Sequence, residues 1–201
     1  MSILVGRKAP DFTTGAVLGS GEIKDDFNLT ETLKGKYGLV FFYPLDFTFV
    51  CPSELIALNK RVADFAQRGV EVITVSVDSH FTHNAWRNTP IENGGIGPVK
   101  FTMASDVNHN ICQAFGVEHP EASVAFRAAF IIDDKGVVRS QLVNDLPLGR
   151  NIEDLIRVVD ALQFHEENGE VCPANWKKGD QGMVPTTEGV ASYLSTNASA
   201  L

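Results

Sequence analysis

The chain has 201 residues, of which 44% are hydrophobic and 21% charged, and it carries a net charge of −8. That length suits one domain with an appended arm and is enough to bury a core, while the acidic balance argues against nucleic acid or an anionic membrane as a partner. Three cysteines, at 51, 112 and 172, are odd in number and widely spaced. This argues against a structural disulfide framework and leaves inert packing or catalysis as their uses.

The first ten residues hold no long apolar stretch, so no secretory signal is expected, nor is any membrane span; a reducing cytoplasm is the expected setting. The continuous apolar run Leu39 to Tyr43, entered from Gly38, predicts a buried strand. Cys51 to Arg68 follows as an amphipathic helix with Leu55, Leu58, Val62 and Phe65 on one face, Pro52 at its first position and Gly69 at its stop. Val70 to Val77, rich in β-branched residues, predicts a second strand and completes a right-handed βαβ unit. A helix from about His80 to Asn88, a weaker strand from Lys100 to Ala104, and a short helix from Asn108 to Phe115 closed by Gly116 come next. Arg127 to Ile132 and Val137 to Val143 flank Asp133 to Gly136, which predicts a β-hairpin. Asn151 reads as the cap of a helix whose apolar stripe is Ile152, Leu155, Ile156, Val159 and Leu162. After Cys172 the periodicity fades into an arm with one short helix over Thr187 to Leu194. The expected architecture is an α/β sandwich of mixed sheet topology.

Cys51 is the most informative residue. It stands where a strand feeds a helix, so unpaired backbone N–H groups and the positive dipole end favour thiolate over thiol, and the thiolate is the nucleophile. The segment Pro44-x-x-x-Thr48-x-x-Cys51 resembles the active-site signature of the typical two-cysteine peroxiredoxins, the alkyl hydroperoxide reductase C or thioredoxin peroxidase type. Val171 to Trp176 resembles that subfamily's resolving-cysteine segment, and Arg127 stands where the family places its active-site arginine. Asn144 to Arg150 and Ser76 to Trp86 look like further stretches of the same subfamily.

The resemblance implies a thioredoxin-like fold, with a peroxidase domain over residues 1–165 and an arm over 166–201 that carries the resolving cysteine. It also implies that Cys51 is the peroxidatic cysteine, that Thr48 bridges thiolate and peroxide, and that Arg127 donates to both. Glu54 would orient the arginine, Pro44 would shield the loop, and Cys172 of a second chain would resolve the oxidised sulfur. No cofactor and no metal are implied. The implied partners are a peroxide, thioredoxin or a flavoprotein disulfide reductase, and further copies of the chain, as a homodimer through Cys51–Cys172 that assembles to a decamer. A thioredoxin-fold holdase or redox scaffold is the alternative; a thiol–disulfide oxidoreductase is disfavoured because no Cys-x-x-Cys pair exists.

Cys112, beside Ile111, Ala114 and Phe115, reads as a packed core residue. His80 and His83 have a metal-compatible spacing but no evident third ligand, and His109, His119 and His165 belong to no motif. Gly94 to Gly97 lacks the spacing of a dinucleotide loop and instead resembles the Gly-Gly-Leu-Gly loop of overoxidation-sensitive subfamily members.

Overall fold

The computed structural model describes residues 3–200; residues 1, 2 and 201, at the outer ends of the expected domain and arm, lie outside them. The chain runs β1 (Thr13–Val17), β2 (Ile23–Asn28), α1 (Leu29–Thr32), β3 (Tyr37–Phe42), α2 (Cys51–Gln67), β4 (Val70–Ser76), α3 (His80–Asn88), β5 (Thr102–Ser105), α4 (Asn110–Ala114), β6 (Arg127–Ile132), β7 (Val138–Asn144), α5 (Ile152–Asn168) and α6 (Thr187–Asn197). Short 3-10 turns occupy Ile91–Asn93 and Ala198–Ala200. Packing groups the chain into two compact units, Met1–Ile152 and Glu153–Leu201. Among the described residues no helix is long and apolar enough to cross a membrane.

The first unit is built on a seven-stranded mixed sheet in the order β2-β1-β5-β4-β3-β6-β7. Its centre is the expected βαβ unit: β3 lies parallel to β4, with Leu39 opposite Val72 and Phe41 opposite Thr74, and β5 extends the parallel set. The strand β6 then runs antiparallel to β3 and pairs with β7 as the expected hairpin. Asp133 builds its turn by accepting from the N–H groups of Lys135 and Val137, and Gly136 supplies the left-handed backbone there at φ 74°.

Because β3 and β4 are covered on both faces, their sequences are continuous rather than alternating. Val40, Phe42, Ile73 and Val75 enter one apolar cluster with Phe115 and Phe130. The Phe42, Phe115 and Phe130 rings meet at centroid separations of 5.0–5.8 Å. The α2 stripe of Leu55, Leu58 and Phe65 is fully buried.

The strands β1 and β2 and the four-residue α1 were not expected from the sequence, and one expected helix starts late. The hairpin β1–β2 has no apolar alternation, because β2 (Ile-Lys-Asp-Asp-Phe-Asn) exposes its first four residues. Its charges instead blunt an edge strand, and its partner β1 joins the sheet through Ala16 opposite Ala104. α4 starts at Asn110, two residues later than expected, because His109 is in the left-handed region at φ 60° and cannot propagate a helix.

In the second unit, α5 buries Leu155, Ile156 and Val159, and Phe164 stacks near Trp176 with centroids 4.9 Å apart. The short bridge Val171↔Met183 closes the arm on itself. α6 is capped by Thr186, which accepts from Gly189 N–H at 3.0 Å, and extends three residues beyond its predicted end. Propensity alone would make Gly189→Ala stabilising by up to about 1 kcal/mol. Geometry reverses the sign: a Cβ at 189 would lie 2.4 Å from the Val184 carbonyl oxygen. Gly189→Ala is therefore expected to disrupt α6, read as lost helical protection of residues 187–197 in hydrogen exchange with the rest unchanged.

Candidate active site

The loop between β3 and α2 carries two of the expected site residues, Pro44 and Thr48, and leads directly into a third, Cys51, so the way it is pinned sets their geometry. Pro44 is buried directly after β3. Two residues later the Asp46 carboxylate accepts from Tyr43 Oη at 2.7 Å and lies 2.8 Å from His83 Nδ1. Its own N–H donates to Asp78 Oδ2 at 2.9 Å, and Asp78 is held in turn by Ser76 Oγ at 2.6 Å. Burial pushes the Asp46 carboxyl above its ordinary range while His83 pulls it down. The Phe47 backbone, at φ 52°, then turns the chain into the Thr48 to Val50 segment.

Cys51 is the first residue of α2 and is fully buried. The helix has no side-chain cap, which leaves its first-turn N–H groups on the cysteine's side. Thr48 Oγ1 lies 3.0 Å from Cys51 Sγ and 2.8 Å from the Leu45 carbonyl. With one proton the hydroxyl donates to only one of them at a time and accepts from the other direction.

Arg127, the first residue of β6, points Nη1 at both Cys51 Sγ (3.4 Å) and Glu54 Oε2 (2.8 Å), while its Nε donates to the Leu146 carbonyl. Glu54 lies one helical turn after Cys51. Its carboxylate is shared with a second arginine that the sequence reading did not single out. Arg150 donates from Nε to Glu54 Oε1 at 2.8 Å and from Nη2 to Oε2 at 2.9 Å, and its backbone N–H also reaches Oε1. Its remaining Nη1 reaches the Phe42 and Ala128 carbonyls at 2.7 and 2.6 Å, and the guanidinium stacks 3.3 Å above the Phe41 ring. Burial alone would raise the Glu54 carboxyl; the Arg150 hydrogen bonds and charge, helped by Arg127, outweigh it and hold it below the usual range.

The result is a buried Arg127–Glu54–Arg150 ladder that fixes one guanidinium N–H on the sulfur. The fold thus brings Pro44, Thr48, Cys51, Glu54 and Arg127 into one loop-and-helix site. Cys172 belongs to the second unit, half-buried, with Sγ 3.4 Å from the Ala161 carbonyl. Burial raises its thiol and the Arg157 charge lowers it. The histidine pair is split: His83 is committed to Asp46, whereas His80 Nε2 lies 3.7 Å from Asp25.

Residues 5–141 match the family described as AhpC/TSA, and residues 161–196 match the C-terminal domain of 1-Cys peroxiredoxin, although that stretch here contains Cys172. Alkyl hydroperoxide reductase C of Buchnera aphidicola is 52% identical over 191 residues, 95% of this chain and 96% of the relative. The enzyme of the same name in Helicobacter pylori is 51% identical over 196 residues, 98% of each chain. Peroxiredoxin-2 of Mus musculus is 47% identical over 191 residues, 95% of each chain. The reduced 2-Cys peroxiredoxin of Plasmodium vivax superposes with a TM-score of 0.93 at 48% identity, covering 96% of this chain and all of that one. The mixed sheet is therefore the thioredoxin-like fold that the sequence led one to expect.

Proposed function

Because this chain belongs to the AhpC/TSA family and is a peroxiredoxin, a thiol-dependent peroxidase, we propose that Cys51 is its peroxidatic cysteine. One observation carries the assignment: Cys51 Sγ lies within hydrogen-bond reach of both Thr48 Oγ1 and Arg127 Nη1. That is the arrangement needed to orient a thiolate and to stabilise charge on a departing oxygen.

The Cys51 thiolate attacks one peroxide oxygen. The S–O bond forms as the O–O bond breaks, leaving a sulfenic acid and an alkoxide or hydroxide that takes a proton to become alcohol or water. Thr48 bridges sulfur and peroxide, and Arg127, oriented by Glu54, donates to the oxygen on which charge grows. Pro44, with no N–H to offer, closes the loop over the sulfur. The Cys172 thiol of a second chain then displaces water from the sulfenic acid and forms the Cys51–Cys172 disulfide. A dithiol partner, thioredoxin or a flavoprotein disulfide reductase, reduces it by thiolate exchange.

The substrates are hydrogen peroxide and organic hydroperoxides. Residues 1–165 act as the peroxidase domain and 166–201 as the resolving arm of a cytoplasmic homodimer that assembles further to a decamer.

The disulfide is tested on non-reducing gels after one equivalent of peroxide. The wild-type chain and Cys112→Ser are expected to run as covalent dimers, Cys51→Ser and Cys172→Ser as monomers. A monomeric oxidised wild type would contradict intersubunit resolution.

Arg127→Lys keeps the charge but loses the planar fork that serves sulfur, Glu54 and Leu146 together. It is expected to slow peroxide reduction by about tenfold or more, some 1.4 kcal/mol of transition-state stabilisation, read as kcat/KM in stopped flow. An unchanged rate would reduce Arg127 to a structural role.

A further inference from the structure

Away from the Cys51 loop, three residues with metal-binding side chains converge around α4. His109 and Glu118 approach through Nδ1 and Oε1 at 2.7 Å. Cys112 lies one turn from His109, its Sγ 3.3 Å from the His109 carbonyl. One ligating atom from each of the three falls within 4.8 Å of the others. Among the described residues this is the one grouping of its kind. We propose that His109, Cys112 and Glu118 form a binding site for a zinc-like divalent transition-metal ion, with the fourth position open to water.

The donor set selects the ion. One sulfur, one imidazole nitrogen and one carboxylate oxygen suit a borderline metal such as zinc, whereas magnesium and calcium would reject the sulfur. Cys112 is fully buried while His109 and Glu118 are each about a quarter exposed, 27% and 28%. The ion would therefore sit with sulfur on its protein side and water on the other.

The backbone is already fixed around the three side chains. His109 is held in the left-handed region at φ 60°, a sparsely populated conformation for a residue with a side chain. Asp106, itself buried, accepts from the N–H groups of Ile111 at 2.9 Å and Cys112 at 2.7 Å. The Glu118 backbone is tied to Ala125 by an isolated bridge. Gln113 Nε2 donates to Glu118 Oε2 at 2.9 Å, leaving Oε1 for the ion and acting as the outer partner that orients a ligating carboxylate.

Metal bonds of about 2.0–2.3 Å imply ligand separations of roughly 3.3–3.7 Å. The His109–Glu118 contact must therefore open by roughly half an ångström while the sulfur moves inward. Binding replaces the Cys112 S–H bond with a metal–sulfur bond and releases that proton to solvent. The His109–Glu118 hydrogen bond is exchanged for two metal bonds, and the proton that His109 Nδ1 carried is taken up at Nε2 as the ring changes tautomer. Burial, followed by the Asp106 carboxylate, pushes the Cys112 thiol far up.

The test uses the untagged full chain with Cys51→Ser and Cys172→Ser, so that Cys112 is the remaining thiol, titrated with cobalt(II). The expected result is one ion per chain with a thiolate-to-cobalt charge-transfer absorption, displaced by zinc, and a zinc-dependent rise in the unfolding temperature. In the same background Cys112→Ala should abolish the charge-transfer band. His109→Asn and Glu118→Gln, which change partly exposed side chains, should each weaken binding at least tenfold. Absence of the band from the folded double variant would overturn the site, as would unchanged cobalt affinity in both His109→Asn and Glu118→Gln.

Discussion

Cys51→Ser is expected to abolish peroxide consumption, to below one part in a thousand of the wild-type rate, without a change in fold. The serine is nearly isosteric in a fully buried position, so the Thr48 and Arg127 contacts have an atom to meet. An alcohol oxygen at neutral pH, however, is a far poorer nucleophile than a sulfur that ionises. Cys112, the other thiol of the first unit, is buried around α4 with its thiol pushed up. The measurement is peroxide loss with a dithiol reductant alongside circular dichroism. Retained consumption in a folded variant would remove Cys51 from the mechanism.

Glu54→Gln carries the second large effect, on stability. The Glu54 carboxylate is the shared counter-charge of two buried guanidinium groups, Arg127 and Arg150. A buried ion pair adds little against an apolar replacement of the whole set, but removal of one partner leaves the other charges unpaired, at about 3–5 kcal/mol. Denaturant unfolding should show a loss of that size, and peroxide reduction should fall with it because the Nη1 of Arg127 loses the partner that aims it.

The pH dependence follows from the depressed Glu54 carboxyl. A carboxylate whose folded pKa is lowered contributes stability that is present in full above its unfolded value, near 4.5, and lost as pH falls through the folded value below it. The gap between wild type and Glu54→Gln should therefore be constant above about pH 5 and narrow as the solution is acidified below 4.5. A gap that does not narrow would mean that Glu54 is not held ionised by the two arginines.

What the sequence made legible has a physical pattern. The strands β3, β4 and β6 and the helix α2 were visible because continuous apolar runs and a 3.6-residue stripe are written locally. Cys51, Thr48 and Pro44 were visible because they lie within eight consecutive residues at the junction of β3 and α2. Arg127 and Glu54 are 73 positions apart and were linked only through the family resemblance, although the structure joins them directly.

Arg150 went unrecognised as a site residue. It is polar, sits past the hairpin in a loop, and becomes fully buried only because the chain after β7 returns beneath Phe41 and Glu54. Nothing in its sequence neighbourhood announces that. His83 was weighed as half of a metal pair with His80. Helical spacing put the two on adjacent positions but could not show that Asp46, from a different loop, claims the His83 ring. Glu118 was invisible as a partner of His109 and Cys112 for the same reason.

The most direct measurement is mass spectrometry of the reduced wild-type chain, mixed with less than one equivalent of peroxide in the presence of a sulfenic-acid trap. The trapped adduct is expected on Cys51 alone at the earliest times, and a Cys51–Cys172 disulfide in its place when the trap is omitted. An adduct first appearing on Cys172 or Cys112, or a disulfide formed without passage through Cys51 sulfenic acid, would contradict the Cys51 assignment.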